Sequence, residues 1–252
     1  MKEKLQTIQE NFEKNVESVY TLMNFDRLIL DYSISSITQL VEKLKSHHHI
    51  DNPQLTALNT LSNLQKIRKH GSLKRHYMHI FNQCIVLLVS YFGSTIADIF
   101  KFCLAERVKE GLTENIAREE IKLSLGELQE YNFNLSDCIG ELVVNKKDIS
   151  FQDMQSISRA FKEYFGFEPQ KDKIVNNIIA GQACRHIIVH SGNIANCRLI
   201  RQISHAEPRD IKMRIKENEL IEFIPDEIRI VGDSMKTYVS RIIEELLNIN
   251  EY

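Results

Sequence analysis

A predominantly all-α fold, carrying a minor β-hairpin and an N-terminal helical extension, is predicted by three observations. Apolar residues recur at steps of three and four along most of the chain, which is the helical period. The 252 residues include only four prolines and nine glycines, little material for the turns of a sheet protein. One stretch alone, Leu220 to Val231, alternates weakly in the manner of strands.

Leu5, Ile8, Phe12, Val16, Val19 and Met23 trace the first amphipathic helix, with charges on its other side. A second, through Leu28, Tyr32, Ile37, Leu40, Val41 and Leu44, is entered near Asn24 or Asp26, and the two are expected to pair as a hairpin or to contribute to a dimer. His47-His48-His49 follows; three consecutive histidines point in different directions and read as a polar helix end rather than a metal site. Pro53 suits the first turn of a helix carrying Leu55, Leu58, Leu61 and Leu64. That helix exits through a basic run that includes Lys66, Arg68, Lys69, Lys74 and Arg75 with no acidic residue among them, either a solvated surface or a phosphate-contact patch. Gly71-Ser72 breaks the run and divides the chain into an extension, 1–71, and a main helical domain, 72–252.

The longest apolar pattern, Met78 to Leu104 within a helix from Lys74 to about Lys109, is apolar around more than one face and is expected to be central. Thr113 opens a helix holding Ile116, Ile121, Leu123, Leu125 and Leu128, and Ser150 with Asp153 reads as a capping box for a helix through Met154, Ile157, Phe161 and Tyr164. Ile174, Val175, Ile178, Ile179, Ala183, Ile187 and Ile188 define a buried helix that stops before Gly192. Leu220–Ile224 and Glu227–Val231 flank Pro225-Asp226 as the expected hairpin, and the last helix begins at Asp233 or Ser234.

A formal charge of −2 excludes a protein that coats nucleic acid non-specifically, so any such binding must come from a local patch. The five cysteines are scattered without a C-x-x-C pair and read as reduced core residues of a cytoplasmic protein. The N-terminus lacks a signal-peptide core, and the apolar run from Cys84 to Tyr91 falls short of a membrane span.

Chemistry concentrates in Cys184-Arg185-His186-Ile187-Ile188-Val189-His190-Ser191-Gly192-Asn193, at the end of the buried helix. Arg185 and His190 are five residues apart, about 140° round an ideal helix, so they share a face only if the helix loosens near Gly192. Histidine can give or take a proton near neutral pH, and arginine presents a charged planar fork to phosphate oxygens. His186 and His190, four apart, also have the spacing of two metal ligands, but no third ligand is evident. A purely structural pairing of the trio at a helix end is a further reading, and Cys184 beside it reads as packing.

The window from Arg185 to Asn193 resembles the R-x4-6-H motif of the HEPN (higher eukaryotes and prokaryotes nucleotide-binding) superfamily, over residues 72 to 250 or so. Arg185 and His190 match its defining positions, and His186 the polar residue often found after the arginine. The resemblance implies a metal-independent endoribonuclease without cofactor, acting on RNA as a homodimer with a composite site, in the stand-alone branch associated with toxins and phage defence. It implies Arg185 as phosphate stabiliser, His190 as proton-transfer residue and His186 as orienting group; a non-catalytic nucleotide- or RNA-binding or assembly module is the alternative. Arg198 and Arg201, after the motif, join the basic run as expected RNA contacts, and an antitoxin or defence-system partner is possible within that branch. Two departures stand out. Gly93 occupies the place where relatives carry an acidic residue, with Asp98 about a turn later as the nearby substitute. Gly192 stands two residues beyond the histidine, where toxins silenced by a nucleotidyltransferase carry tyrosine.

Overall fold

The computed structural model describes residues 1–45, 52–70, 74–111, 120–136 and 138–249, and among them the chain is all helix and loop, with one isolated antiparallel bridge between Ile194 and Leu220. The nine helices of the described residues are α1 (Lys2–Lys45), α2 (Asn52–His70), α3 (Lys74–Lys109), α4 (Leu125–Glu130), α5 (Ile139–Lys146), α6 (Met154–Phe165), α7 (Lys173–His190), α8 (Cys197–Ser204) and α9 (Pro225–Ile249).

α3 is the axis of the bundle, with α1, α5, α6, α7 and α9 packed around it. Its sequence explains this, because Ile85, Leu88, Phe92, Ile96, Ile99 and Phe100 cover several faces and all are fully buried. Phe100 sits in an aromatic nest, its ring 5.3 to 5.6 Å from those of Phe151, Phe161, Tyr164 and Phe165. Phe92 meets Tyr238 of α9 edge-on at 5.7 Å. By length and composition the Tyr77–Lys109 stretch would pass for a membrane span, its most apolar 18-residue window reaching a mean hydropathy of 1.6; the run from Cys84 to Tyr91 understates it.

α1 corrects the expected helix pair. No glycine or proline lies between Lys2 and Lys45, and Asn24, read as an entry point, instead donates its side-chain N–H to the Tyr20 carbonyl one turn back. The two patterns therefore belong to one helix of 44 residues, about 66 Å long at ~1.5 Å per residue. Its first half, from Leu5 to Met23, lies in the same hydrophobic cluster as α3, α7 and α9, so the core reaches across the boundary drawn at Gly71-Ser72. Its second half exposes Leu28, Ile29 and Tyr32 and packs against α2, forming a two-helix arm. His47-His48-His49 and Gly71-Ser72 lie outside the described residues.

Three other expectations change. The hairpin is absent: Pro225 occupies the first position of α9, where its missing N–H costs nothing, and Glu227 accepts from the Ile224 N–H at 3.4 Å. The alternation of 220–224 is nevertheless physical, since Ile221 and Phe223 are buried and Leu220 and Ile224 exposed. The segment is held by side chains rather than by a second strand, Asn82 of α3 donating to the Ile221 carbonyl (2.9 Å) and accepting from the Phe223 N–H (3.3 Å). Ser150 and Asp153 form no capping box; Asp153 is itself the N-cap of α6, accepting from the Ser156 N–H at 2.8 Å, and the reciprocal box falls at Ser124 and Glu127. Thr113 to Ile116 lie outside the described residues, and Ile121 and Leu123 precede α4 instead of lying within a helix.

Candidate active site

α7 carries the motif and is fixed at both ends. Asp172 caps its start, accepting from the Val175 N–H at 3.0 Å and pairing with Arg241 of α9. Burial tends to raise the Asp172 carboxyl, but the Val175 N–H and the Arg241 guanidinium outweigh it and hold the group below its usual range. Buried Asn177 donates to Ser234 Oγ (3.2 Å) and accepts from the Asp210 N–H (2.8 Å), tying α7 to α9 and to the loop after α8. The helix stays regular to its last residue, the Ser191 N–H reaching the Ile187 carbonyl at 2.9 Å. Gly192 and Asn193 then turn through positive φ, +61° and +65°. The Asn193 carbonyl accepts from the Ile221 N–H at 2.8 Å, which pins the turn to the 218–221 segment.

This regularity decides the geometry of the trio. Without any loosening, Arg185 and His190 stay on different sides of α7, and the side chain that links them is His186. His186 and His190 bring their rings to 4.9 Å between centroids, inclined at 50°. Arg185 and His186 line a cavity of about 600 Å³ between α6, α7 and α8, while His190, exposed, lies outside its lining. Burial, reinforced by His190, Arg198 and Arg185, holds the His186 imidazole below the ordinary histidine range, favouring its neutral form.

The cavity is a meeting of three polar helix stripes. α7 contributes Gln182, Arg185 and His186, α6 with its N-cap contributes Asp153, Ser156 and Arg159, and α8 contributes Arg198 and Gln202, each set at helical spacing. Arg185, Arg159 and Arg198 have no hydrogen-bond or ion-pair partner among the described residues, and the Nε of Arg185 is buried without one. The one carboxylate on the wall, Asp153, is engaged by the backbone N–H and hydroxyl of Ser156. Three unpaired guanidiniums around one occupied carboxylate make the cavity a place for an anion.

Of the expected RNA contacts, Arg198 lines this cavity and Arg201, on the same helix, is exposed outside its lining. Lys66 and Arg68 are exposed on α2 in the arm, Arg68 facing Asp31 at 3.4 Å, and α2 packs on α1 rather than on the motif helix. The side chains of Lys69, Lys74 and Arg75 lie outside the described residues. Arg209 and Lys212, basic and close to the motif in sequence, are structural. Buried Arg209 donates to the carbonyls of Ile203, Ala206, Ile211 and Lys212, and Lys212 pairs with Glu227 at 2.8 Å under the Phe223 ring.

Gly93 has a packing reason. A Cβ there would sit 3.1 Å from the Phe151 carbonyl oxygen, so the loop leading into α6 occupies the space an acidic side chain would need. Asp98 is exposed and outside the cavity lining. Cys184 is fully buried, and burial pushes its thiol up to about 12, consistent with packing. Among the described residues no group of three or more His, Cys, Asp or Glu side chains is arranged to hold a metal ion. Comparison of the chain with protein-family models, with curated proteins and with solved structures gave no significant match.

Proposed function

We propose that the protein is a metal-independent endoribonuclease of the HEPN type, acting in toxin or phage-defence biology as a homodimer. The observation that carries this reading is the arrangement at the end of α7: an unpaired, half-buried Arg185 on an anion-favouring cavity, His186 on the same cavity wall, and His190 ring-to-ring with His186 at 4.9 Å. In the proposed reaction the substrate's 2′-hydroxyl attacks the adjacent phosphorus, forming a 2′,3′-cyclic phosphate as the bond to the 5′-oxygen breaks. His190 transfers the proton, taken from the 2′-hydroxyl or delivered to the leaving oxygen. Arg185 binds the non-bridging oxygens as negative charge builds on them, and His186 orients the phosphate between the two.

Arg185 and His190 face different ways within one chain, so a second copy across a two-fold axis near His190 would complete the constellation. Exposed Val189, Ile194 and Leu220 around the end of α7 give such an interface apolar material. The exposed position of His190 outside the cavity also favours a second reading, a binding module that retains the cavity without the chemistry.

The test compares wild type, Arg185→Ala and His190→Ala, each verified as folded, on mixed cellular RNA. Each variant is expected to cleave about 10² to 10⁴ times more slowly. Variants as active as wild type would exclude the proposed roles, and RNA binding without cleavage by wild type would favour the module. A monomer by light scattering at micromolar concentration would remove the composite site.

A further inference from the structure

We infer that a single strand of RNA is led to the motif along the groove between α6 and α7 of the same chain, with Arg159 and Lys171 as phosphate contacts. The inference rests on the ribonuclease reading and gives that site its substrate track. A second cavity, of about 500 Å³, adjoins the one at Arg185 and shares Met154, Gln155, Arg159 and Ile179 with it. The two form one continuous groove running from Arg198 and His186 past Arg159 to Lys171 and His205. Along α7 it extends from Val175 to Arg185, roughly 15 Å at ~1.5 Å per residue, longer than one phosphate requires.

Its charges are arranged for an outside anion. Arg159, Arg185 and Arg198 have no hydrogen-bond or ion-pair partner among the described residues, and Lys171 has no hydrogen bond or close ion pair but lies near enough to Glu168 to stabilise its charge, although the chain as a whole is slightly acidic. The carboxylates on the walls are already engaged, Asp153 by Ser156 and Glu168 by Lys162 at 2.9 Å. The floor between them is aliphatic, with Met154, Ile179 and Val175, and the lining holds no tryptophan, tyrosine or phenylalanine. Bases therefore have apolar surface to lie on but no aromatic platform, which makes the backbone the principal handle. A groove of this form suits a flexible single strand whose phosphates turn inward, and it replaces the α2 run as the route to Arg185.

The experiment measures binding of a short, mixed-sequence single-stranded RNA by fluorescence anisotropy across a salt series, using His190→Ala so that the strand survives. Arg159→Ala and Lys171→Ala, both at exposed positions, are each expected to reduce the salt slope by about 0.7, and the double variant by about 1.4. Replacing Lys66 and Arg68 together is expected to leave it unchanged. Slopes unaltered by the groove variants would overturn the track, even if wild type cleaves RNA. Slopes altered as expected in a protein that never cleaves would sustain the track and sink the ribonuclease reading. Competition by inorganic polyphosphate or duplex DNA as strong as by the RNA itself would overturn the assignment of a single-stranded RNA.

Discussion

The Met154 amide N–H, at the first turn of α6, donates to Oε1 of Gln182 in the middle of α7 at 3.0 Å. A helix start leaves its first amides without intrahelical partners, and here a side chain from the facing helix satisfies one of them in the floor of the groove. The bond also fixes the Gln182 amide, since only its oxygen can accept. Gln182 thus sets the spacing of the two helices whose polar stripes build the site.

Gln182→Ala is expected to lower stability by about 1 to 3 kcal/mol, because the buried Met154 N–H loses its acceptor. Urea unfolding followed by circular dichroism checks this as a shift in midpoint at unchanged slope. A midpoint equal to that of wild type would show that the bond contributes nothing to holding α6 on α7.

Asp172 supplies the matching test at the start of the motif helix. Its folded carboxyl sits below the usual carboxylate range, so the unfolded chain binds more protons there and the stabilisation is present above about pH 4. It is lost as pH falls through the folded value. Asp172→Ala is expected to cost about 0.5 to 2 kcal/mol at neutral pH through the lost cap, and the difference from wild type should shrink on acidification. Parallel unfolding curves from pH 7 to strongly acid conditions read both effects, and a constant difference would contradict the assignment.

How much of this was legible in the residues depends on whether neighbours in sequence or neighbours in space decide. α3 and α7 follow from their own apolar spacing, and the left-handed turn at Gly192 follows from the glycine. The break expected near Asn24 failed because neither asparagine nor aspartate ends a helix by itself when the apolar stripe continues past it. The expected hairpin failed for a different reason. Ile221 and Phe223 alternate with exposed neighbours as a strand would, but their partner is Asn82 of α3, 139 residues away in the chain from Ile221, and local pattern carries no such information. At the site, Arg185, His186 and Arg198 were visible beforehand. Arg159 and Gln182 were not, because each is an ordinary polar residue on a helix until α6 and α7 are brought together; their spacing from Ser156 and Arg185, three residues in each case, was the only available signal.

His186 carries a pH dependence of the same sign as Asp172, although the fold favours its neutral form where it favours the ionised form of Asp172. Burial first, then His190, Arg198 and Arg185, keep its folded value low, so below about pH 6.5 the unfolded chain binds the extra proton and stability falls with pH. At neutral pH the penalty is absent. His186→Gln should flatten the stability profile in that window. A bound phosphate reverses the preference, since an anion beside the ring favours the imidazolium, and RNA affinity is expected to rise as pH falls toward 6 in wild type but less so in His186→Gln. Affinities with identical pH dependence in the two proteins would remove His186 from the phosphate's surroundings.

The proposed ribonuclease chemistry is read from the ends of the fragments that wild type leaves on RNA in excess EDTA. The expected result is cleavage undiminished by the chelator, with 2′,3′-cyclic phosphate on one fragment and a 5′-hydroxyl on the other, the ends left when, as proposed, the 2′-hydroxyl is the nucleophile and the side chains of α7 move the protons. Cleavage abolished by the chelator would contradict it, as would 5′-phosphate ends, which mark water as the attacking group.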